Sequence, residues 1–246
     1  MDELLLFAAV GFAAQLVDGA LGMAYGITAT TVLLSMGVMP AVASASVHAA
    51  EVFTTGVSGM AHWRFGNIDR DLFWRLALPG MVGGATGAML LSTLPGEEIR
   101  PLVSLYLLAM GVVILRRALR PRSEVDTKPK SPQLLGLIGG FLDASGGGGW
   151  GPMVASTLLS NGAPPRYAIG TVSAAEFFVT TVVSATFVMT VGLELWPIIA
   201  GLILGGALAA PFAAYATQKL PDRPLMILVA MVVILLGIRN ILQILP

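Results

Sequence analysis

Glu51 and Glu176 are carboxylates set near the centres of long apolar stretches, where an ionisable group is costly and marks a candidate functional site. Two roles fit them: carrying a coupling proton, or, held protonated or hydrogen-bonded, joining two parts of the chain. His48 stands three residues before Glu51, on the same face of a helix. It is the strong cation candidate near the bilayer centre, unless its only task is to satisfy Glu51. Asp18 and Asp143 each open a glycine-rich stretch, DGALGMAYG at 18–26 and DASGGGGWGP at 143–152. Such a carboxylate can cap the turn that follows it, or couple a proton or cation.

The glycine stretches are themselves candidates. A helix broken there exposes unpaired N–H groups and the positive end of its dipole at the start of its second piece. Two such N-termini facing one another form an anion site without a lysine, and bare glycine backbone lets a ligand approach closely. Gly22, Tyr25, Gly26, Gly147, Gly148, Gly149 and Trp150 are the residues placed there, with His48, Thr54 and Ser173 completing the shell. Gly80, Gly83, Gly84, Gly87, Gly201, Gly205 and Gly206 instead fit close helix packing in a membrane.

The elements that position these residues come in two copies. Asp18 falls on Asp143 at a shift of 143 − 18 = 125. The same shift places LLS at 33–35 on 158–160, Gly37 on Gly162, Pro40 on Pro165, AAE at 49–51 on 174–176, and Gly80 on Gly205. The chain is an internal duplication. His48 falls on Ser173, so the site should be asymmetric.

Hydrophobic residues make up 56% and charged residues 11% of the chain, where soluble domains carry about 25% charge. Long apolar runs separated by short polar segments define a polytopic helical membrane protein. Expected segments lie near 4–17, 22–36, 41–62, 72–93 and 98–118, and again near 133–143, 147–161, 166–188, 195–218 and 224–244. A span needs about 20 residues, so each half has three full spans and two short helices that meet at a glycine break and behave as re-entrant pieces. The expected organisation is a first repeat at 1–118, a basic linker at 119–132 and a second repeat at 133–246.

The basic residues set an orientation with the linker cytoplasmic and both termini outside a plasma membrane. An odd number of crossings per half then inverts the repeats, an architecture used for alternating access. Arg64, Arg70, Arg75, Arg100 and Arg239 read as interfacial, Arg166 as a solvated loop residue, and His62 as an anchor beside Trp63. There is no cysteine, no metal-ligand spacing, no nucleophile elbow and no phosphate-binding loop. No cofactor, metal, nucleic-acid partner or catalytic residue is expected. The partners are a small anionic substrate and the lipid bilayer, and a homodimer is compatible with the pattern.

The duplicated glycine segment, GGGWGP at 147–152, NGAPP at 161–165 and the paired AAE segments resemble the TauE/SafE sulfite exporter family, also called the 4-toluene sulfonate uptake permease family. The resemblance covers essentially the whole chain. It implies transport of sulfite, sulfoacetate or other organosulfonates, in the export direction. The glycine run is degraded in the first half, so the two breaks need not meet substrate equally. Two other readings remain: a transporter of a carboxylate or lipid phosphate on the same architecture, and an intramembrane enzyme using Glu51 and His48 as acid and base.

Overall fold

The computed structural model describes residues 2–21, 23–119, 131–192, 196–219 and 222–244. Among them there are helices and turns and no strand. The first half runs α1 (Asp2–Leu21), α2 (Tyr25–Ser35), α3 (Pro40–Arg64), α4 (Arg70–Thr93) and α5 (Gly96–Leu119). The second runs α6 (Pro132–Gly146), a π-turn (Gly151–Ala155) continued by α7 (Ser156–Ser160), then α8 (Pro165–Thr190), α9 (Trp196–Lys219) and α10 (Asp222–Leu242). Most of the basic linker lies outside the described residues.

Local chemistry sets the helix starts. Pro40, Pro132 and Pro165 occupy first-turn positions of α3, α6 and α8, where the missing N–H is no loss. Asp69 caps α4 by accepting the Asp71 and Leu72 amides, each at 3.1 Å. Gly37 and Gly162, counterparts in the duplication, both turn the chain at positive φ, 91° and 84°. After each, the same backbone bond closes the turn: Val38 N–H to Leu33 at 3.0 Å, and Ala163 N–H to Leu158 at 3.1 Å. The repeat seen in the sequence is therefore a repeat of hydrogen bonds.

Three described helical stretches are long and apolar enough to cross a membrane: Arg70–Thr93, Gly96–Leu119 and Arg166–Thr190. Large apolar side chains such as Val57, Val82, Met89, Leu105, Leu208 and Leu235 point outward, as a protein surrounded by lipid requires. One boundary differs from expectation. The first segment, read as 4–17, is a 20-residue helix that continues to Leu21. Its counterpart α6 has 15 residues, and α2 has 11. The second short helix is not one regular rod, because it opens on a five-residue π-turn.

The halves grip each other reciprocally. α1 packs along α9, and their counterparts α6 and α4 make the same pairing from the other side. α3 packs on its own counterpart α8, and α5 on its counterpart α10. Gly56 lies against Phe177 and Gly59 against Ala174; Gly111 lies against Ile234 and Gly237 against Leu108. In both pairs the numbering falls along one helix as it rises along the other, so the counterparts cross antiparallel. Glycines allow these close approaches: Gly80 receives the Trp150 ring, and Gly83 and Gly87 receive the α6 backbone.

Candidate functional site

Each break is organised by its aspartate. Asp18 Oδ1 accepts the Ala24 N–H at 2.8 Å and the Tyr25 N–H at 3.1 Å, at the start of α2. Asp143 Oδ1 accepts the Trp150 N–H at 2.9 Å. Tyr25 and Trp150 are counterparts, since 150 − 25 = 125. Both aspartates thus cap the helix that follows from seven residues upstream, at a longer reach than an ordinary N-cap.

The breaks meet one another. A β-carbon built on Gly26 would lie 2.9 Å from Gly148 Cα, and one on Gly151 2.6 Å from Met23 Cα. Gly151 is the counterpart of Gly26, and Gly148 that of Met23. One contact therefore occurs twice, with the halves exchanging roles. Gly147 is left-handed at φ 73°, and Gly148 has φ 145°, which L side chains rarely adopt. Side chains then fix the turned-out carbonyls: the Thr30 hydroxyl donates to Gly147 O, and the Tyr106 hydroxyl to Gly148 O at 2.9 Å.

Asp18, Tyr25, Gly26, Glu51, Thr54, Asp143, Gly149 and Glu176 wall one small cavity at this junction. Its free space is about 20 Å³, room for about one water molecule. Four carboxylates from α1, α3, α6 and α8 line it. The structure does not bring His48, Trp150 or Ser173 into the wall. The Trp150 ring is fully buried and donates to Val172 O at 3.2 Å, filling the space above Gly80. Ser173 lies beyond the wall, where its backbone abuts Gly59. Gly147 and Gly148 stand behind it, and Gly22 lies outside the described residues.

His48 does not satisfy Glu51. Its Nδ1 bonds the Ser44 carbonyl at 2.8 Å and its Nε2 meets Asp143 Oδ2 at 3.1 Å. The carbonyl only accepts, so Nδ1 carries a hydrogen. Ser44 Oγ donates its own hydrogen to Ala144 O at 2.7 Å. A bond between Nε2 and the carboxylate needs a further proton between them. The pair thus holds one proton more than a neutral imidazole and a bare carboxylate, and is neutral as a unit. It neutralises Asp143 and leaves three carboxylates around the cavity.

Glu51 is 4% exposed. The Gly26 N–H faces its carboxylate, while Oε2 has no hydrogen-bond partner. Glu176 is half-buried. Thr55 and Thr180, another counterpart pair, bond the backbone carbonyls of the two glutamates at 2.5 and 2.9 Å. Among residues not singled out from sequence, Met23, Ile27 and Thr55 also line the cavity, beside Gly151 and Pro152 of the second glycine stretch. Thr55 had a signal, since Thr180 repeats it. Tyr106 and Thr30 had none, because they act on carbonyls of the other half. Arg100 is not merely interfacial: its Nη2 donates to Leu34 O at 3.1 Å, at the negative end of α2. Arg166 is exposed and stacks on Tyr167.

The family described as Sulfite exporter TauE/SafE matches this chain over residues 7–240. The chain is also similar to the probable membrane transporter protein YtnM of Bacillus subtilis (strain 168), with 44% identity covering 99% of this chain and 84% of the relative. No solved structure matches it.

Proposed function

The chain belongs to the sulfite exporter TauE/SafE family and is a membrane transporter, not an enzyme, and we propose that it is a secondary transporter of a small sulfur-containing anion. Sulfite and organosulfonates are the substrate class, and export is the direction that the family description favours. The observation that carries this reading is the cavity at the meeting of the two breaks, walled by both halves. Capped, glycine-broken helices crossing at the contact of two repeats are how transporters hold a solute between two faces. With no nucleotide-binding motif in the chain, a gradient supplies the work.

The proposed repeats are inverted across the bilayer. The support is that α5 is apolar enough to span and that its counterpart α10 runs antiparallel to it. With the linker on the cytoplasmic side, as its basic residues favour, both termini lie outside a plasma membrane. The carboxylates add a condition. An anion entering among Asp18, Glu51 and Glu176 meets like charge, so it enters with protons on that wall.

The test is counterflow in proteoliposomes. Labelled sulfite or sulfoacetate should exchange against the unlabelled anion with no product formed. The substrate reading is overturned if neither exchanges while a carboxylate or a lipid phosphate does. Cysteines introduced at each terminus should be labelled from outside intact cells; a protected N-terminus would overturn the topology.

A further inference from the structure

Glu51 is the buried group on the cavity wall whose bonding is incomplete. It is 4% exposed, lines the cavity, and leaves Oε2 without a partner. From α3 it reaches the first turn of α2, where the Gly26 N–H faces it and a β-carbon on Gly26 would lie 3.0 Å from Oε1. The 11-residue α2 carries a helix dipole with its positive end at this point. Its first two amides, of Ala24 and Tyr25, are taken by Asp18, and the next, of Gly26, faces Glu51.

We propose that Glu51 is an internal anion, seated on the N-terminal amide of α2 until the transported anion displaces it, and that it takes up a proton as it leaves. This rests on the reading of the substrate as a small anion. The competition is physical. Two negative charges held side by side in a protein interior repel one another, and the free space of about 20 Å³ holds no second anion. Protonation removes the attraction of Glu51 for the Gly26 N–H. It also gives Glu51 an O–H that can donate to an oxygen of the incoming anion.

The other groups facing Glu51 are Asp18 from α1, Asp143 from α6 with its His48, Glu176 from α8, and the Tyr25 hydroxyl of α2. Asp18 has two amides. Asp143 has an amide and an imidazole. Glu176 is half-buried. Glu51 combines near-complete burial with an unpartnered oxygen, so it is the carboxylate to titrate with anion binding. One proton then travels with each anion. For a singly charged anion the step is electroneutral, and the net direction follows the product of the anion and proton gradients. Export runs when the internal anion excess outweighs the proton gradient.

The experiment measures binding of methanesulfonate, which stays ionised throughout, to the purified full-length protein between about pH 5 and pH 8. Acetate and phosphate are run in parallel, and proton uptake is followed in weak buffer. Wild type should lose about tenfold in affinity per pH unit on the alkaline limb and take up about one proton per anion. Glu51→Gln should bind with no pH dependence and no proton uptake. Glu51→Gln retaining the wild-type slope overturns the proposal. Should that variant fail to assemble, Glu51→Asp decides: one methylene shorter, it leaves the Gly26 amide, so affinity at about pH 8 should rise; an unchanged affinity and slope overturn the proposal. Methanesulfonate bound by wild type without proton linkage refutes displacement and leaves the substrate reading standing. Proton-linked binding of acetate or phosphate alone, abolished in Glu51→Gln, does the reverse. If no anion binds wild type at any pH, both fall.

Discussion

Asp18 and Asp143 cap their short helices with the same bond to counterpart residues, yet the breaks they open are built differently. The second is four successive glycines, of which Thr30 and Tyr106 fix the carbonyls of Gly147 and Gly148, and its aspartate holds His48. In the first half, Met23 stands where the second half has Gly148. His48 stands behind the wall and acts through Asp143, and its counterpart Ser173 cannot carry charge. Duplication supplied the scaffold twice, and divergence gave one copy a fixed proton and the closest backbone approach. The two copies are thus two sides of one site with unequal tasks.

The strongest test of that inequality is the close contact itself. An alanine at Gly148 would take on φ 145° and place its β-carbon 2.5 Å from Gly26 C, where nothing flexible can give way. The conformation alone costs roughly 1–3 kcal/mol, before the clash. Gly148→Ala should abolish counterflow or prevent monodisperse assembly. Met23→Leu, at the counterpart position, keeps volume and should cost less than about 1.5 kcal/mol. Wild-type transport by Gly148→Ala, read in the same proteoliposomes, would show that the breaks need not touch.

The next effect separates the two aspartates. Asp143→Asn can still accept the Trp150 N–H but leaves a buried His48 without its counter-ion. Breaking such a buried pair costs about 3 kcal/mol or more. Asp18→Asn retains an acceptor for the Ala24 and Tyr25 amides and should cost about 1 kcal/mol or less. Thermal unfolding in detergent reads the difference. In a His48→Gln background the gap between the two asparagine variants should close. A gap that persists would mean that the imidazole is not what distinguishes the breaks.

Much of this was legible in the sequence, for local reasons. The 125-residue shift, the break positions and the helix starts are written in glycine, proline and aspartate, whose backbone effects are short-range. The burial of Glu51 followed from its place in an apolar run. What stayed hidden depends on which segments meet. The spacing of His48 and Glu51 correctly put them on one helix, but the partner of His48 came from α6, in the other half. Trp150 reads as part of the substrate shell from its place among glycines, whereas its ring fills the space that Gly80 leaves on α4. The extra length of α1 was masked because its last turn carries the polar Asp18 and a glycine, residues that read as the end of an apolar segment.

The smallest effect concerns the feature in which the halves agree best. Thr55 and Thr180 each donate to the carbonyl of the glutamate one turn earlier, at 2.5 and 2.9 Å. Such a back-bond bends a helix slightly and frees no amide. It holds the backbone beneath Glu51 and Glu176 without touching either carboxylate. Hydrogen bonds of this kind inside membrane proteins are worth about 0.6 kcal/mol on average, so Thr55→Val and Thr180→Val should each lower stability by about that much. Their consequences for transport should differ. Thr55 lines the cavity and Thr180 does not, so Thr55→Val also removes a polar group from the wall and should slow counterflow, while Thr180→Val should leave it within about twofold. Equal losses from the two would mean that the halves contribute equally at this depth, and that the asymmetry of the site is confined to the breaks and His48.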